Sequence, residues 1–234
     1  MIQHHPDPSY LSDYAAGAMP TAFAAGVRAH LHLCAQCQQH VRELTELGAC
    51  AFEQQTTTQT AASLDELYAD IVAQIDAAPS GGNSDNNSTT ANNSVQTKNC
   101  TAQDGLPCSD IPPVLEKLLH KPLQAHKWQT LSPSLKRLPL APGDNQEMIN
   151  FYRIKPGGKI AAHDHRGDEL TLVLRGSFSD QNGVYQRGDF ILRRDGEPHR
   201  PMASQDEECL CFSVEQSMPR FTGPFGRILN FALG

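Results

Sequence analysis

Two stretches of this chain carry side chains that bind metals. "HLHLCAQC", residues 30–37, holds His30, Cys34 and Cys37 at spacings of four and three, and "HDHRGDE", residues 163–169, holds His163, His165 and Glu169 at spacings of two and four. A Cys-x2-Cys pair with a nearby histidine offers zinc the thiolate sulfur and imidazole nitrogen that it takes tetrahedrally without strain. A helix over this stretch puts His30 and Cys34 on one face, with Cys37 in the same cluster and His32 facing elsewhere. A closed structural site needs a fourth donor, and His5 or His4, ahead of the first helix, supplies it if the chain packs back. In the second stretch, strand alternation directs His163 and His165 to one face, and Glu169 joins them if the strand curves or breaks near Gly167. His199 lies downstream, and three imidazoles with one carboxylate suit a borderline divalent metal.

The elements that must position these residues fall into two blocks. Up to residue 78 the periodicity is helical: Leu11, Tyr14, Ala15 and Ala18 share a face, and 21–34 and 37–53 have few breakers. At 63–76, Ser63 and Glu66 have the spacing of a capping box, followed by a stripe of Leu64, Leu67, Tyr68, Ile71, Val72 and Ile75. Residues 79–106 are dominated by Asn, Ser, Thr and Gly and cannot bury enough apolar surface to offset their ordering entropy. They read as a flexible linker whose ends would lie roughly 25–30 Å apart, leaving the flanking modules free to move independently. Beyond it the pattern changes to short strands at 148–154, 169–176, 183–194 and 209–215, separated by Gly, Pro and Asp turns, which predicts a β-sandwich or barrel. Residues 114–123 read as a covering helix and Trp128 as core.

Composition narrows the function. The chain has 234 residues and a formal charge of −7, which argues against a general binder of nucleic acid or anionic membrane. An acidic protein can instead cover a basic surface on another protein. The N-terminus has no basic segment followed by an apolar run, and no stretch approaches the roughly 18 apolar residues of a membrane helix, so a cytoplasmic location is expected. In that setting the seven cysteines are metal ligands, redox groups or buried thiols rather than structural disulfides. Cys209 and Cys211 share one face of a late strand, where they are either core thiols or an oxidant-responsive pair. The chain has no P-loop, no dinucleotide-binding GxGxxG, no nucleophile elbow and no basic helix for a DNA groove.

Gly157–Gly176 fits G-x5-H-x-H-x3-E-x6-G, which resembles the first part of the two-part cupin motif; Gly188, Gly196 and His199 fall in the second. The second part departs from the pattern, with Arg194 in place of the usual proline, Ala203 in place of a common asparagine, and a short spacer at 177–187. H-x3-C-x2-C within a short helical domain resembles the zinc-binding anti-sigma domain of bacteria. The combination resembles the ChrR-type anti-sigma factors over residues 1–78 and 107–232. The resemblance implies a multidomain α-then-β chain: a small zinc-bound helical bundle, the linker 79–106, then a cupin (double-stranded β-helix or jelly-roll) barrel. It implies zinc on His5, His30, Cys34 and Cys37, zinc or another divalent metal on His163, His165, Glu169 and His199, and a Cys209/Cys211 pair matching the family's CxC. It also implies a non-enzymatic function: one-to-one sequestration of an extracytoplasmic-function (group IV) sigma factor, without direct DNA contact, relieved when singlet oxygen or related oxidants act on the cupin domain. The alternative is a metal-dependent cupin oxygenase or isomerase with a helical dimerisation module.

Overall fold

The computed structural model describes residues 1–54, 68–69 and 111–221. The expected helix at 63–76, apart from Tyr68 and Ala69, lies outside them, as do the expected linker at 79–106 and the cysteines at 100 and 108.

Helix α1 spans Pro8–Ala15; the Asp7 side chain caps it by accepting the Ser9 N–H, and proline occupies its first turn, where a missing N–H costs nothing. It stops one turn short of the expected face, because Gly17 takes a left-handed φ of 68°, so Ala18 falls beyond the helix and is exposed. Helix α2 spans Thr21–Leu33 and α3 spans Ala35–Glu53, with Cys34 between them in an extended conformation. The expectation of His30 and Cys34 on one continuous helical face is therefore corrected: the helix breaks at the first cysteine. Helix α4, Pro113–Leu119, occupies the expected covering segment.

Among the described residues eleven strands follow: β1 (Gln129–Ser132), β2 (Leu135–Pro139), β3 (Met148–Ile154), β4 (His163–Asp164), β5 (Glu169–Arg175), β6 (Ser177–Asp180), β7 (Gly183–Gln186), β8 (Phe190–Arg193), β9 (Met202–Ala203), β10 (Cys209–Glu215) and β11 (Arg220–Phe221). They form a six-stranded sheet ordered β1-β2-β3-β10-β5-β8, a three-stranded sheet β7-β6-β9 and a β11-β4 pair, with antiparallel pairing throughout. This is the cupin-like sandwich that the motif implied.

The large sheet is buried on both faces, and the alternation along its central strands separates two cores. Leu170, Leu172 and Leu174 of β5 and Leu210, Phe212 and Val214 of β10 join Leu11, Phe23, Val27 and Leu31 of the helices and Leu115 of α4. The opposite parity, Val173 of β5 and Cys209 and Cys211 of β10, joins Phe178, Tyr185 and Ile191 inside the sandwich. Each large apolar side chain on the outer face contributes about 1.5–3 kcal/mol when fully covered, so that face is a seat for the helices. Gly26 sets how closely α2 sits: a Cβ there would lie 2.8 Å from Leu170 Cδ1. The described residues of the stretches 1–48 and 109–234 accordingly belong to one compact unit. The independent modules suggested by composition are instead joined by a shared core in this conformation.

Candidate metal centres

The first centre is assembled from four places in the helical segment. His30 stands in the last turn of α2, Cys34 at the break, Cys37 in the first turn of α3 and His5 in the segment before α1. One donor atom from each lies within 4.8 Å of all the others. His5 Nδ1 is 3.4 Å from Cys34 Sγ and 3.3 Å from Cys37 Sγ. The break at Cys34 lets its sulfur accept the Cys37 N–H at 3.5 Å, placing it at the N-terminus of α3. His30 Nδ1–H donates to the Gly188 carbonyl at 2.8 Å, which leaves Nε2 as the lone-pair nitrogen, buried and without a hydrogen bond. Burial above all pushes His30 down to about 4, so the imidazole is neutral at physiological pH. Burial, followed by the Cys34 hydrogen bond, pushes the Cys37 thiol up to about 12. Two sulfurs and two imidazoles fit tetrahedral zinc, and a ring nitrogen held by a backbone carbonyl is how metal-binding histidines are usually oriented.

His4 is directed elsewhere. Its Nδ1 lies 3.2 Å from Asp189 Oδ2 and its ring packs 4.7 Å from Tyr185. Of the two N-terminal histidines, only His5 is brought to the cysteines. His32 is exposed, as its position on the helix required.

The second centre lies inside the sandwich. His163 is in β4, His165 follows it, and Glu169 opens β5 after a turn in which Gly167 adopts φ 92°. His199 is held beside His163 by reciprocal backbone hydrogen bonds of 3.1 and 2.9 Å. The three imidazoles each place a donor atom within 4.8 Å of the others. Glu169 Oε2 is 3.1 Å from His165 Nε2 and 3.7 Å from His199 Nε2. Neither His165 ring nitrogen has hydrogen-bond geometry to any partner, nor has His199 Nδ1, although all three are buried. Close polar atoms that approach without aligning are what a shared ion requires, so the residues fit a divalent metal. His163 Nδ1–H donates to the Ala161 carbonyl at 2.8 Å, fixing its tautomer. Burial, then His199, pushes His163 down to about 4. Burial alone would raise Glu169, but His165, then His199 and His163, bring its carboxyl down to about 2.

A cavity of about 100 Å³ adjoins this centre, lined by the three histidines and Glu169 together with apolar residues that include Leu131, Ile160 and Phe178. Cys211 lines it as well, and its sulfur lies 3.6 Å from that of Cys209, with both thiols buried and free. The Cys209 hydrogen bond, then burial, holds the Cys211 thiol well above its ordinary pKa.

Sequence reasoning missed two residues. Glu215, across from Glu169 in the β5–β10 register, lines the same cavity. Its Oε1 accepts from Tyr152 at 2.9 Å, Ser213 at 3.0 Å and Asn150 at 3.3 Å, while Oε2 is buried without a partner. Burial, then the Glu169 charge, pushes it up to about 7. Its parity with Cys209 and Cys211 is the signal that would have found it. The other is Asp189, fully buried just before β8. Burial would raise its carboxyl, but the N–H groups of Gln186, Gln3 and His4 outweigh this and hold it below its usual range.

A helical segment with a His/Cys cluster, seated on a cupin-like sandwich with its own histidine cluster, is the arrangement that the resemblance to the ChrR-type anti-sigma factors implied. The chain has that make-up, and residues 118–219 match the family described as "ChrR Cupin-like domain". It is similar to the anti-sigma-E factor ChrR of Cereibacter sphaeroides, with 28% identity over 97% of this chain and 99% of that protein. It is also similar to a chain in the crystal structure of Rhodobacter sphaeroides SigE in complex with the anti-sigma ChrR, with a TM-score of 0.67 and 25% identity over 92% of this chain and 100% of that one. Among the described residues no helix is long and apolar enough to cross a membrane.

Proposed function

We propose that this protein is a cytoplasmic anti-sigma factor that sequesters a group IV sigma factor and releases it under oxidative stress sensed through its cupin domain. The observation that carries the reading is the end-to-end similarity to ChrR, together with this chain's four-donor cluster at the helical end and histidine cluster in the cupin. Residues 1–78 form the sigma-binding module, 79–106 the linker and 107–232 the sensing module, with one sigma factor bound per chain and no contact to DNA.

The two centres suit different tasks. Zinc held by His5, His30, Cys34 and Cys37 would tie the N-terminal segment to the junction of α2 and α3, supplying rigidity that so small a helical segment lacks. All four donors come from the protein, so the centre is closed. His163, His165, Glu169 and His199 would hold zinc or another divalent metal beside a cavity, where a small oxidant or its product can enter. The metal there would act as a Lewis acid. Cys209 and Cys211 stand within reach of each other for an oxidative change, and burial keeps them inert until an oxidant reaches the cavity. Release requires that the altered cupin favour a state with lower affinity for sigma.

The test is co-expression of the full chain with the group IV sigma factor of its own host. A one-to-one complex that dissociates when singlet oxygen is generated photochemically is the expected result, with release lost in Glu169→Gln. Failure of the zinc-loaded chain to retain the sigma factor would sink the reading.

A further inference from the structure

We infer that the turn between β7 and β8, residues 187–189, is a clamp positioning two of the four donors of the first centre, so that the metal affinity of the helical segment is set by the cupin domain. The inference rests on the metal reading of the His5, His30, Cys34 and Cys37 cluster and extends it to residues outside the cluster.

The segment carrying His5 has no regular structure of its own over residues 1–7. Its order comes from Asp189. One carboxylate oxygen accepts the N–H of Gln3 at 2.7 Å and of His4 at 3.0 Å; the other accepts the Gln186 N–H at 2.9 Å and the His4 ring at 3.2 Å. The next residue closes the grip, with the Phe190 N–H donating to the His4 carbonyl at 3.0 Å. His4 is therefore held at its N–H, its ring and its carbonyl, one residue before His5. The same turn also reaches the second donor, because the Gly188 carbonyl accepts from His30 Nδ1 and so fixes which nitrogen of that ring is free. Only glycine fits at 188: its φ is 92°, and a Cβ would lie 2.5 Å from Ile2 Cδ1.

The clamp is continuous with the second centre. It opens β8, and three residues along that strand Arg193 pairs across the sheet with Glu169. Asp189 and Gly188 are positioning residues, touching no donor atom of the metal themselves. They act by removing freedom that His5 and His30 would otherwise lose on binding. Any coupling they carry is reciprocal, so metal at the first centre also holds the helical segment against the cupin.

The experiment titrates zinc-loaded full-length protein with a chromophoric chelator. Release from the first centre is marked by Cys34 and Cys37 becoming reactive, read by peptide mapping of the labelled thiols, which separates them from Cys211 beside the second centre. Asp189→Ala removes all four acceptor bonds; His4→Ala removes only the ring bond among them, together with the ring's packing on Tyr185. Zinc affinity at the first centre should fall 10–100-fold in Asp189→Ala, the usual cost of losing an outer support, and severalfold in His4→Ala. The second centre should be unchanged in both, and amide exchange at Gln3 and His4 should accelerate. Unchanged first-centre affinity in both variants overturns the clamp. So does equal loss at both centres in His4→Ala, which would report general loosening. A native protein in which zinc protects no thiols removes the metal reading itself, an outcome distinct from either.

Discussion

The seating of α2 on β5 can be broken and repaired at one contact. Leu170 is fully buried, and its two methyls face Gly26 across the interface. Leu170→Ala leaves a cavity, at a cost of about 2–5 kcal/mol that depends on how far the surroundings collapse. Collapse is restrained because the His30–Gly188 hydrogen bond holds the far end of α2, so the expected cost lies in the upper half of that range. Gly26→Ala alone brings a Cβ to 2.8 and 2.9 Å from the Leu170 methyls. That overpacking costs about 1–3 kcal/mol, offset by about 1 kcal/mol of better helix propensity. In the double variant the new methyl enters the space that Leu170 vacated. The clash disappears and the propensity gain remains, so the double variant should be more stable than Leu170→Ala, with a coupling of about 1–3 kcal/mol. Urea unfolding of the zinc-loaded chain measures all four corners, provided m stays constant. Additivity within about 0.5 kcal/mol would refute the claim that the helical segment is seated on this strand.

Two further outcomes concern protons. Because the Cys37 thiol is pushed up to about 12 and a thiolate is the ligand, first-centre zinc affinity should rise at least tenfold per pH unit from pH 6 to 8. His30, already neutral above about 4, adds no slope there, and a flat competition profile would contradict the assignment. Glu215 has its pKa raised to about 7 from an ordinary 4.5, so the folded state prefers its protonated form. The stability this provides is complete below about pH 4.5 and lost as pH rises through about 7. In metal-free protein, Glu215→Gln should therefore gain thermal stability relative to the native chain between pH 5 and 8; parallel melting curves would count against it.

The donor types and the strands were legible because chemistry and periodicity act locally. H-x3-C-x2-C and H-x-H-x3-E announce themselves, and β3 and β10 fall on the segments read as strands. The break at Cys34 was not legible, since Leu33, Cys34 and Ala35 are all compatible with helix and the chain is bent by closure of a site that includes distant His5. The choice of His5 over His4 depended on Asp189, some 185 residues away in sequence. The covered outer face of the sheet did leave a trace. In "ELTLVLR" both parities are apolar at the centre, and a strand with only one buried face would alternate with polar residues. That trace was outweighed by the composition of 79–106, which reads as a tether.

The division of β5 into two parities bears on how the cupin could govern the helices. Glu169 faces the second centre, 3.1 Å from His165 Nε2, and the adjacent Leu170 packs against Gly26 of α2. A strand whose successive side chains face a metal cavity and a helix cannot shift at one without disturbing the other, because close-packed interfaces do not deform continuously. Chemistry at the second centre therefore has a short route to the helical layer, through Glu169 and Leu170 on β5 and through Arg193, β8 and Asp189 to the segment carrying His5. For either route to release a partner, the changed centre must bind the docked and undocked states with different energy. The buried groups that can supply that difference are Glu169, Glu215 and the Cys209/Cys211 pair, and all of them lie on β5 or β10, the two strands whose other faces carry the helices.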